Sequence, residues 1–413
     1  MRRWGVALLT CVLAAAVSGC TDQKPPPPSP VFPVAVALTS TEQLSQTGIT
    51  IGVLAPPMAG PGQEYRDTIN GAKVAAFRFQ LGGLNVTIKT VAEDGTPEGA
   101  TTAMQTLIGY QPTGIIVAST GAHLAEALTT ASKAGIATLL PYDYAAPLTA
   151  PAYRTGPNTA AIATAISATI TKAGINHPTV ITEPGYTVNT EWPTSIAYQG
   201  DPVAAAQSVA DAVTAGQTDG VIIEASANTQ ALIVTRIQSL MGSRQLPIVL
   251  TPQAVTPTFA AGVANTAALQ GVLMAVGQNT SDATGLQANS QGENTTAFLQ
   301  AVRMASDNPK VTNIFGDGPF AAASTKADVA SHDAVIAIVR AAEKAGTTNP
   351  AFVTAAFAGL TLDATAGLVG APLNFATPSA LSADALVTLY ASPQPTGTRP
   401  SATTNTITWL ALG

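Results

Sequence analysis

The sequence predicts a doubly wound α/β fold, a parallel sheet wrapped by helices on both faces, and three observations carry that prediction. Short β-rich runs alternate with helix-length stretches from residue 48 onward, the pattern that builds parallel sheets through crossover helices. The runs are apolar throughout, as in Gly114-Ile115-Ile116-Val117-Ala118, which is what a sheet covered on both faces requires. The chain has 413 residues, long enough for two domains with substantial cores. In order, the strands are expected at 49–54, 86–91, 114–118, 137–140, 179–182, 220–223, 248–250 and 272–276. Helices are expected between them at 67–81, 96–110, 122–134, 159–173, 202–215 and 229–241.

The start of the chain reads as an address. Arg2 and Arg3 precede an apolar stretch over 4–17, the layout of a secretory signal peptide. The stretch ends in Val17-Ser18-Gly19-Cys20, which resembles the bacterial lipobox and implies lipidation of Cys20 after loss of residues 1–19. Cys11 leaves with that signal, so no disulfide is expected. Lys24-Pro25-Pro26-Pro27-Pro28-Ser29-Pro30 follows, a polyproline stalk rising about 3 Å per residue, and residues 20–47 are expected to form a disordered tether. An anchor, a stalk and a domain suit a protein held at the cell membrane on its extracytoplasmic face.

Composition excludes other classes. Charged residues make up 10% and the net charge is −6, without the basic stripe of a nucleic-acid binder. Beyond the first twenty residues no apolar run reaches the roughly 18 residues that span a bilayer. Three His and two Cys are scattered, with no metal-ligand spacing, and no cofactor is expected. Gly60-x-Gly62 lacks the third glycine of a dinucleotide loop, and Pro61 removes an N–H that a phosphate would want. Ser331-His332-Asp333 are neighbours in sequence, whereas catalytic triads are assembled across space. No Gly-x-Ser-x-Gly elbow is present, and an enzyme is not expected.

In this fold class ligands bind beyond the carboxyl ends of the strands. Those ends read Ala55-Pro56-Pro57, Ser119-Thr120, Pro141-Tyr142-Asp143-Tyr144, Glu183-Pro184-Gly185-Tyr186, Glu224-Ala225-Ser226 and Pro252-Gln253. Hydroxyls, tyrosines and acids gather there, although Ser119 and Thr120 stand equally well as helix caps.

Several stretches, in order, resemble the type I periplasmic binding proteins of the branched-chain amino-acid group. They are Ile49-Thr50-Ile51-Gly52-Val53-Leu54, Gly60 to Tyr65, Asn70-Gly71-Ala72-Lys73, and Glu93-Asp94-Gly95-Thr96-Pro97-Glu98-Gly99-Ala100. Tyr153-Arg154-Thr155-Gly156-Pro157 is similar to the first hinge crossing, the stretch from Ser331 to Gly346 to the long helix, and Gly370 to Phe375 to the closing strand. The resemblance implies two doubly wound lobes joined by three crossings, lobe one over 48–155 and 278–366, lobe two over 156–277 and 367–413. It implies a ligand held by Ser119, Thr120, Tyr142, Asp143, Tyr144, Tyr186, Ser226 and Gln253.

The departures are specific. Gln253 stands where the family has an acid that pairs with a ligand ammonium, and Asp143 is the available substitute. Tyr142, Asp143 and Tyr144 replace small residues and fill or reshape the pocket. Residues 187–201 leave about fifteen positions for a helix and a strand, too few for a full crossover, so lobe two is expected to be trimmed. The resemblance implies a lipid-anchored receptor delivering a small polar molecule, amino-acid-like or related, to an ABC permease. The alternative is a binding-protein fold reused as an envelope scaffold or sensor that contacts a protein partner.

Overall fold

The structure is a computed structural model, described for residues 35–411 except 61, 147, 149–150, 189–191, 243, 265–271, 394–397 and 400–406. Cys20 and the polyproline stalk lie outside the described residues.

The first sheet contains β1 (Ile49–Ala55), β2 (Val86–Ala92), β3 (Gly114–Val117), β4 (Thr138–Leu140) and β5 (Ala152–Arg154), in spatial order β2-β1-β3-β4-β5, all parallel. The second begins with β6 (Pro178–Thr182), β7 (Ser195–Ala197), β8 (Gly220–Glu224), β9 (Ile248–Leu250) and β10 (Leu273–Gln278). A small ribbon of β11 (Thr361–Leu362) and β12 (Leu373–Asn374) comes next in the chain, and β13 (Leu386–Ser392) and β14 (Thr408–Ala411) complete the second sheet. Its order is β14-β13-β10-β9-β8-β6-β7. The pairs among β6 to β10 are parallel, whereas β13 and β14 join antiparallel.

Helices α1 (Glu42–Thr47), α2 (Gly71–Leu81), α3 (Pro97–Gly109) and α4 (Ala125–Lys133) belong to the first lobe. The second carries α5 (Thr159–Lys172), α6 (Pro202–Thr214), α7 (Ala227–Met241) and α8 (Pro257–Val263). The chain then returns for α9 (Ser290–Asp307), α10 (Val329–Ala345) and α11 (Pro350–Phe357) on the first. Each sheet is covered on both faces. In lobe one α2, α10 and α11 pack one face around Ile51, Val53 and Ile116, and α3 and α4 pack the other around Leu54, Ile115 and Val117. In lobe two α6, α7 and α8 cover one face and α5 the other.

The helices start where the sequence caps them. The side chains of Thr96, Asn158, Asp201 and Asp328 accept from the N–H groups of Gly99, Ala161, Val203 and Ser331 respectively. Proline occupies the first turn of α3 and α6, where its missing N–H has no partner to lose. After β5 the chain crosses at Gly156, where a Cβ would overlap the Pro141 carbonyl, so only glycine permits the close approach.

Three expectations are corrected. Residues 35–47, expected to be tether, pack on lobe one: Leu38 and Leu44 are buried, Leu38 N–H donates to the Arg78 carbonyl at 3.0 Å, and α1 folds. Burying two leucines outweighs the freedom of a polar-looking segment. Residues 367–381, expected in lobe two, also pack on lobe one. Leu368, Leu373, Phe375 and Leu381 join its core, and Arg154 N–H bonds the Pro378 carbonyl at 2.7 Å. The chain therefore re-enters lobe two between Leu381 and β13, and Gly370 to Phe375 contributes to the β11–β12 ribbon instead of closing the second sheet. The strands β5, β7, β13 and β14 went unread in the sequence because β5, β7 and β14 are short and β13 is only half-buried, without a continuous apolar run.

The short segment after β6 has the length argued from the sequence. Among the described residues it contains no helix, only a loop and the edge strand β7. Glu224 holds that loop: its carboxylate accepts the Val188 N–H at 2.9 Å and the Trp192 Nε1–H at 2.8 Å.

Candidate functional site

The carboxyl ends of both sheets face a cavity of about 400 Å³. Lobe one lines it with Tyr65, with Thr120 to His123 after β3, and with Tyr142 to Ala146 after β4. Lobe two lines it with Pro184 to Val188 after β6 and with Gln253 after β9. Thr120, Tyr142, Asp143, Tyr144, Tyr186 and Gln253, all singled out in the sequence, therefore meet.

Ser119 and Ser226 do not line the cavity. Ser119 is fully buried and its hydroxyl donates to Glu93 Oε1 at 2.5 Å. Ser226 caps α7, with Oγ accepting from Thr229 N–H at 3.4 Å and its own N–H donating to Glu183 Oε2 at 2.7 Å. The start of α7 took the Ser226 side chain, and the Glu93 carboxylate took that of Ser119.

Tyrosines form the wall on the lobe-one side. Tyr65 and Tyr142 stack with ring centroids 4.3 Å apart and planes 9° from parallel. The Tyr65 and Tyr144 hydroxyls are 3.2 Å apart, and Tyr142 O–H donates to Asp328 Oδ2 at 2.6 Å. Burial pushes the phenols of Tyr65, Tyr142 and Tyr144 up, reinforced at Tyr142 by the Asp328 charge. Burial also pushes the Asp328 carboxyl up, against hydrogen bonds from Ser331 and Tyr142 that pull the other way. The tyrosines thus stay neutral and serve as surface and as hydrogen-bonding rim.

Asp143, offered by the sequence as a partner for a ligand ammonium, is turned to its own loop. Its Oδ1 accepts the N–H groups of Ala145 and Ala146 at 3.0 and 2.6 Å, and its Oδ2 accepts Gly121 N–H at 3.0 Å. Arg154 ties the same loop, donating to the carbonyls of Asp143 at 2.8 Å and Ala146 at 2.6 Å. Three main-chain donors thus occupy most of the carboxylate's acceptor sites and pin it to the loop.

Two groups were not singled out as site residues in the sequence, where His123 reads as a surface or capping residue. His123 lines the cavity with Nε2 3.3 Å from Glu93 Oε1, off the line of a hydrogen bond. Glu93 also accepts from Ser119 and from Gly95 N–H. Burial would raise the Glu93 carboxyl, and the contacts from His123, Ser119 and Gly95 together bring it below its ordinary value. Glu64 is the second. It is 4% exposed, its Oε1 has no hydrogen-bond partner, and burial with Glu183 nearby raises its pKa to about 7. Tyr186 from lobe two sits against Glu64, so an acid and a phenol meet across the lobes. The signal was the position of Glu64, in the loop after the first strand, where this fold class places ligands. Gln253 is 5% exposed and its Oε1 is likewise without a partner.

Ser331-His332-Asp333 has a structural role. His332 is buried, with Nδ1 2.8 Å from Asp333 Oδ1 and Nε2 3.0 Å from Arg78 Nη1. A guanidinium can only donate, so Nε2 accepts and the ring is neutral, in accord with burial lowering its pKa. Asp333 accepts the N–H groups of Val369 and Gly370. Among the described residues no cluster of His, Cys, Asp and Glu could hold a metal ion, and no helix is long and apolar enough to cross a membrane.

No family model and no curated protein matches this chain. Solved structures do. The type 1 periplasmic binding protein of Bordetella pertussis Tohama I superposes with a TM-score of 0.64 at 14% identity, covering 88% of this chain and 100% of that one. The branched-chain amino-acid transporter substrate-binding protein of Streptococcus pneumoniae, solved with isoleucine, gives 0.61 at 16%, covering 88% and 99%. A leucine-binding protein of Thermotoga maritima gives 0.57 at 15%, covering 83% and 95%. With parallel-sheet lobes flanked by helices and these structural relatives, the chain has the fold of the type I periplasmic binding proteins.

Proposed function

We propose that this protein is an extracytoplasmic solute-binding protein that traps a small polar molecule between its lobes and passes it to an ABC permease, held at the membrane by a lipid on Cys20. The observation that carries the reading is the cavity of about 400 Å³ lined from both lobes by Thr120, Tyr142, Tyr144, Tyr186 and Gln253. Such a volume suits a small metabolite. Closure of two lobes on a ligand is a hinge motion, and the ligand stabilises the closed form by touching both sides. The structural relatives solved with isoleucine or described as leucine-binding support a solute of comparable size. The Arg2-Arg3 start and Val17-Ser18-Gly19-Cys20 motif support export and anchoring.

The test is thermal unfolding of the full chain in mild detergent against amino acids, amines, amides, polyols and sugars. A ligand at a hundred times its Kd stabilises by about 2.7 kcal/mol, a shift of about 3 °C for lobes of this size. Tyr186→Ala is expected to remove the shift while leaving the ligand-free midpoint within about 2 °C, because Tyr186 lies on a loop outside the sheet cores. Silence across the panel from a folded protein would favour the scaffold reading, to which the helix-less link before β7 also belongs. For the anchor, Cys20→Ser is expected to release the protein from membranes; continued sedimentation with them would sink it.

A further inference from the structure

The acids around the cleft outnumber the cations that could answer them. Asp143 is balanced by Arg154, whose guanidinium responds to its charge. Glu64, Asp328 and Glu183 have no such partner: among the described residues none of them forms a salt bridge. Asp328 is held by hydroxyls and a main-chain N–H, Glu183 by Ser226 N–H and the Thr229 hydroxyl, and Glu64 keeps one oxygen bare. Glu64 sits against Tyr186, which lines the cavity.

The cavity wall offers an anion no cationic side chain built to hold it. Among the described residues no lysine or arginine lines it, and the Gly121 N–H after β3 is already spent on Asp143. His123 Nε2 stands 3.3 Å from the Glu93 carboxylate, so an anion there would meet a negative charge behind the ring. A ligand carboxylate entering here would meet a carboxylate across a shared N–H. What the wall does offer is acceptors and aromatic rings: the buried, unpartnered Gln253 amide oxygen together with the Tyr144 and Tyr186 rings. An unpaired buried acceptor is destabilising until a donor arrives, and a cation over a tyrosine ring is attracted to its negative face.

Resting on the solute-binding reading above, we propose that the ligand is an organic amine cation without a carboxylate, its N–H groups donating to Gln253 and its charge seated between Tyr186 and Tyr144. An α-amino acid fits this wall through its ammonium alone.

The experiment compares matched compounds on the full chain by thermal unfolding and titration calorimetry: isoamylamine, leucine and isovalerate share one side chain and differ in which charges they carry, with putrescine, glycerol and glucose beside them. Isoamylamine or putrescine is expected to raise the midpoint by about 3 °C at saturation, with leucine and isovalerate giving less than a third of that. Gln253→Glu is expected to tighten the amine about tenfold and Gln253→Leu to weaken it by a similar factor, each tenfold being about 1.4 kcal/mol. A leucine, isovalerate, glycerol or glucose shift equal to or above that of the amines overturns the amine assignment and leaves solute binding standing. No shift from any compound, in a chain that unfolds cooperatively, overturns solute binding itself and the amine with it. An amine shift unchanged in Gln253→Leu and Tyr186→Ala places the amine elsewhere and also overturns the assignment.

Discussion

The two lobes are built on one plan and stabilised differently. Lobe one threads charge through its interior: Arg78, His332 and Asp333 form a buried chain that reaches the Val36 carbonyl at one end and the Val369 and Gly370 N–H groups at the other. That chain fastens two segments from outside the βα succession, residues 35–38 and 368–370, to α2 and α10. Among the described residues lobe two buries no arginine; its interior polar bonds stay at the strand ends, where Glu224 holds Val188 and Trp192 and Gln230 donates to the Ala225 carbonyl and the Thr251 hydroxyl, and its returning strands β13 and β14 dock through Leu389 and Trp409. The comparison teaches that a returning segment can be fastened by a buried polar chain, as in lobe one, or by strand pairing with apolar burial, as in lobe two.

The most direct way to break the contrast is at the lobe-one network. Arg78→Ala leaves His332 Nε2 and the Val36 carbonyl without their donor and is expected to cost about 3–5 kcal/mol; the same loss should raise hydrogen exchange at residues 36–38. A midpoint within about 2 °C of the parent would show that lobe one is held by its apolar core alone. Phe357→Ala measures that core, since Phe357 meets Tyr153 and Phe375 at centroid distances of 5.4 and 4.9 Å, and about 3–5 kcal/mol is expected here too.

In lobe two the corresponding variant is Glu224→Ala, which strips the Val188 and Trp192 donors of their acceptor. About 2 kcal/mol is expected, with hydrogen exchange rising at 184–197 and unchanged in lobe one. Equal loosening of both lobes would mean that they do not unfold as separate units.

A fourth variant sharpens the boundary between the lobes. The Glu64 carboxyl, raised from 4.5 to about 7 by burial and by Glu183, binds its proton more tightly when the lobes are together. Stability of that arrangement is therefore unpenalised below pH 4.5 and is lost as pH rises toward and through 7, by about 3 kcal/mol at most. Glu64→Gln is expected to flatten this dependence between pH 5 and 8, read as the radius of gyration in scattering and as the melting midpoint. A slope surviving the substitution would assign it to another group. The smallest effect is the cap: Ser226→Ala removes an acceptor at the start of α7 and is expected to cost about 1 kcal/mol, confined to lobe two.

The legible part of the molecule is the part whose signals are local. Apolar runs such as Gly114-Ile115-Ile116-Val117 and caps such as Asp201-Pro202 mark strands and helix starts within a few residues, so the alternation and the doubly covered sheet were readable in the residues themselves. The strand-end rule then located Thr120, Tyr142, Tyr144, Tyr186 and Gln253 at one cleft. The same rule could not separate them from Ser119, one residue along, whose hydroxyl turns inward to Glu93.

The sequence by itself determined the fold class, the shortened link after β6, and the set of loops that can meet a ligand, because periodicity, length and turn chemistry act over short range. Tertiary structure alone decided where residues 35–47 and 367–381 pack, because Leu38, Leu44, Leu373 and Phe375 find their partners in segments tens to hundreds of positions away. It also decided that Asp143 bonds its own loop while Glu64 faces the other lobe with one oxygen bare. A carboxylate's role depends on which donors and charges surround it after folding, and that environment is assembled from segments that the linear order keeps apart.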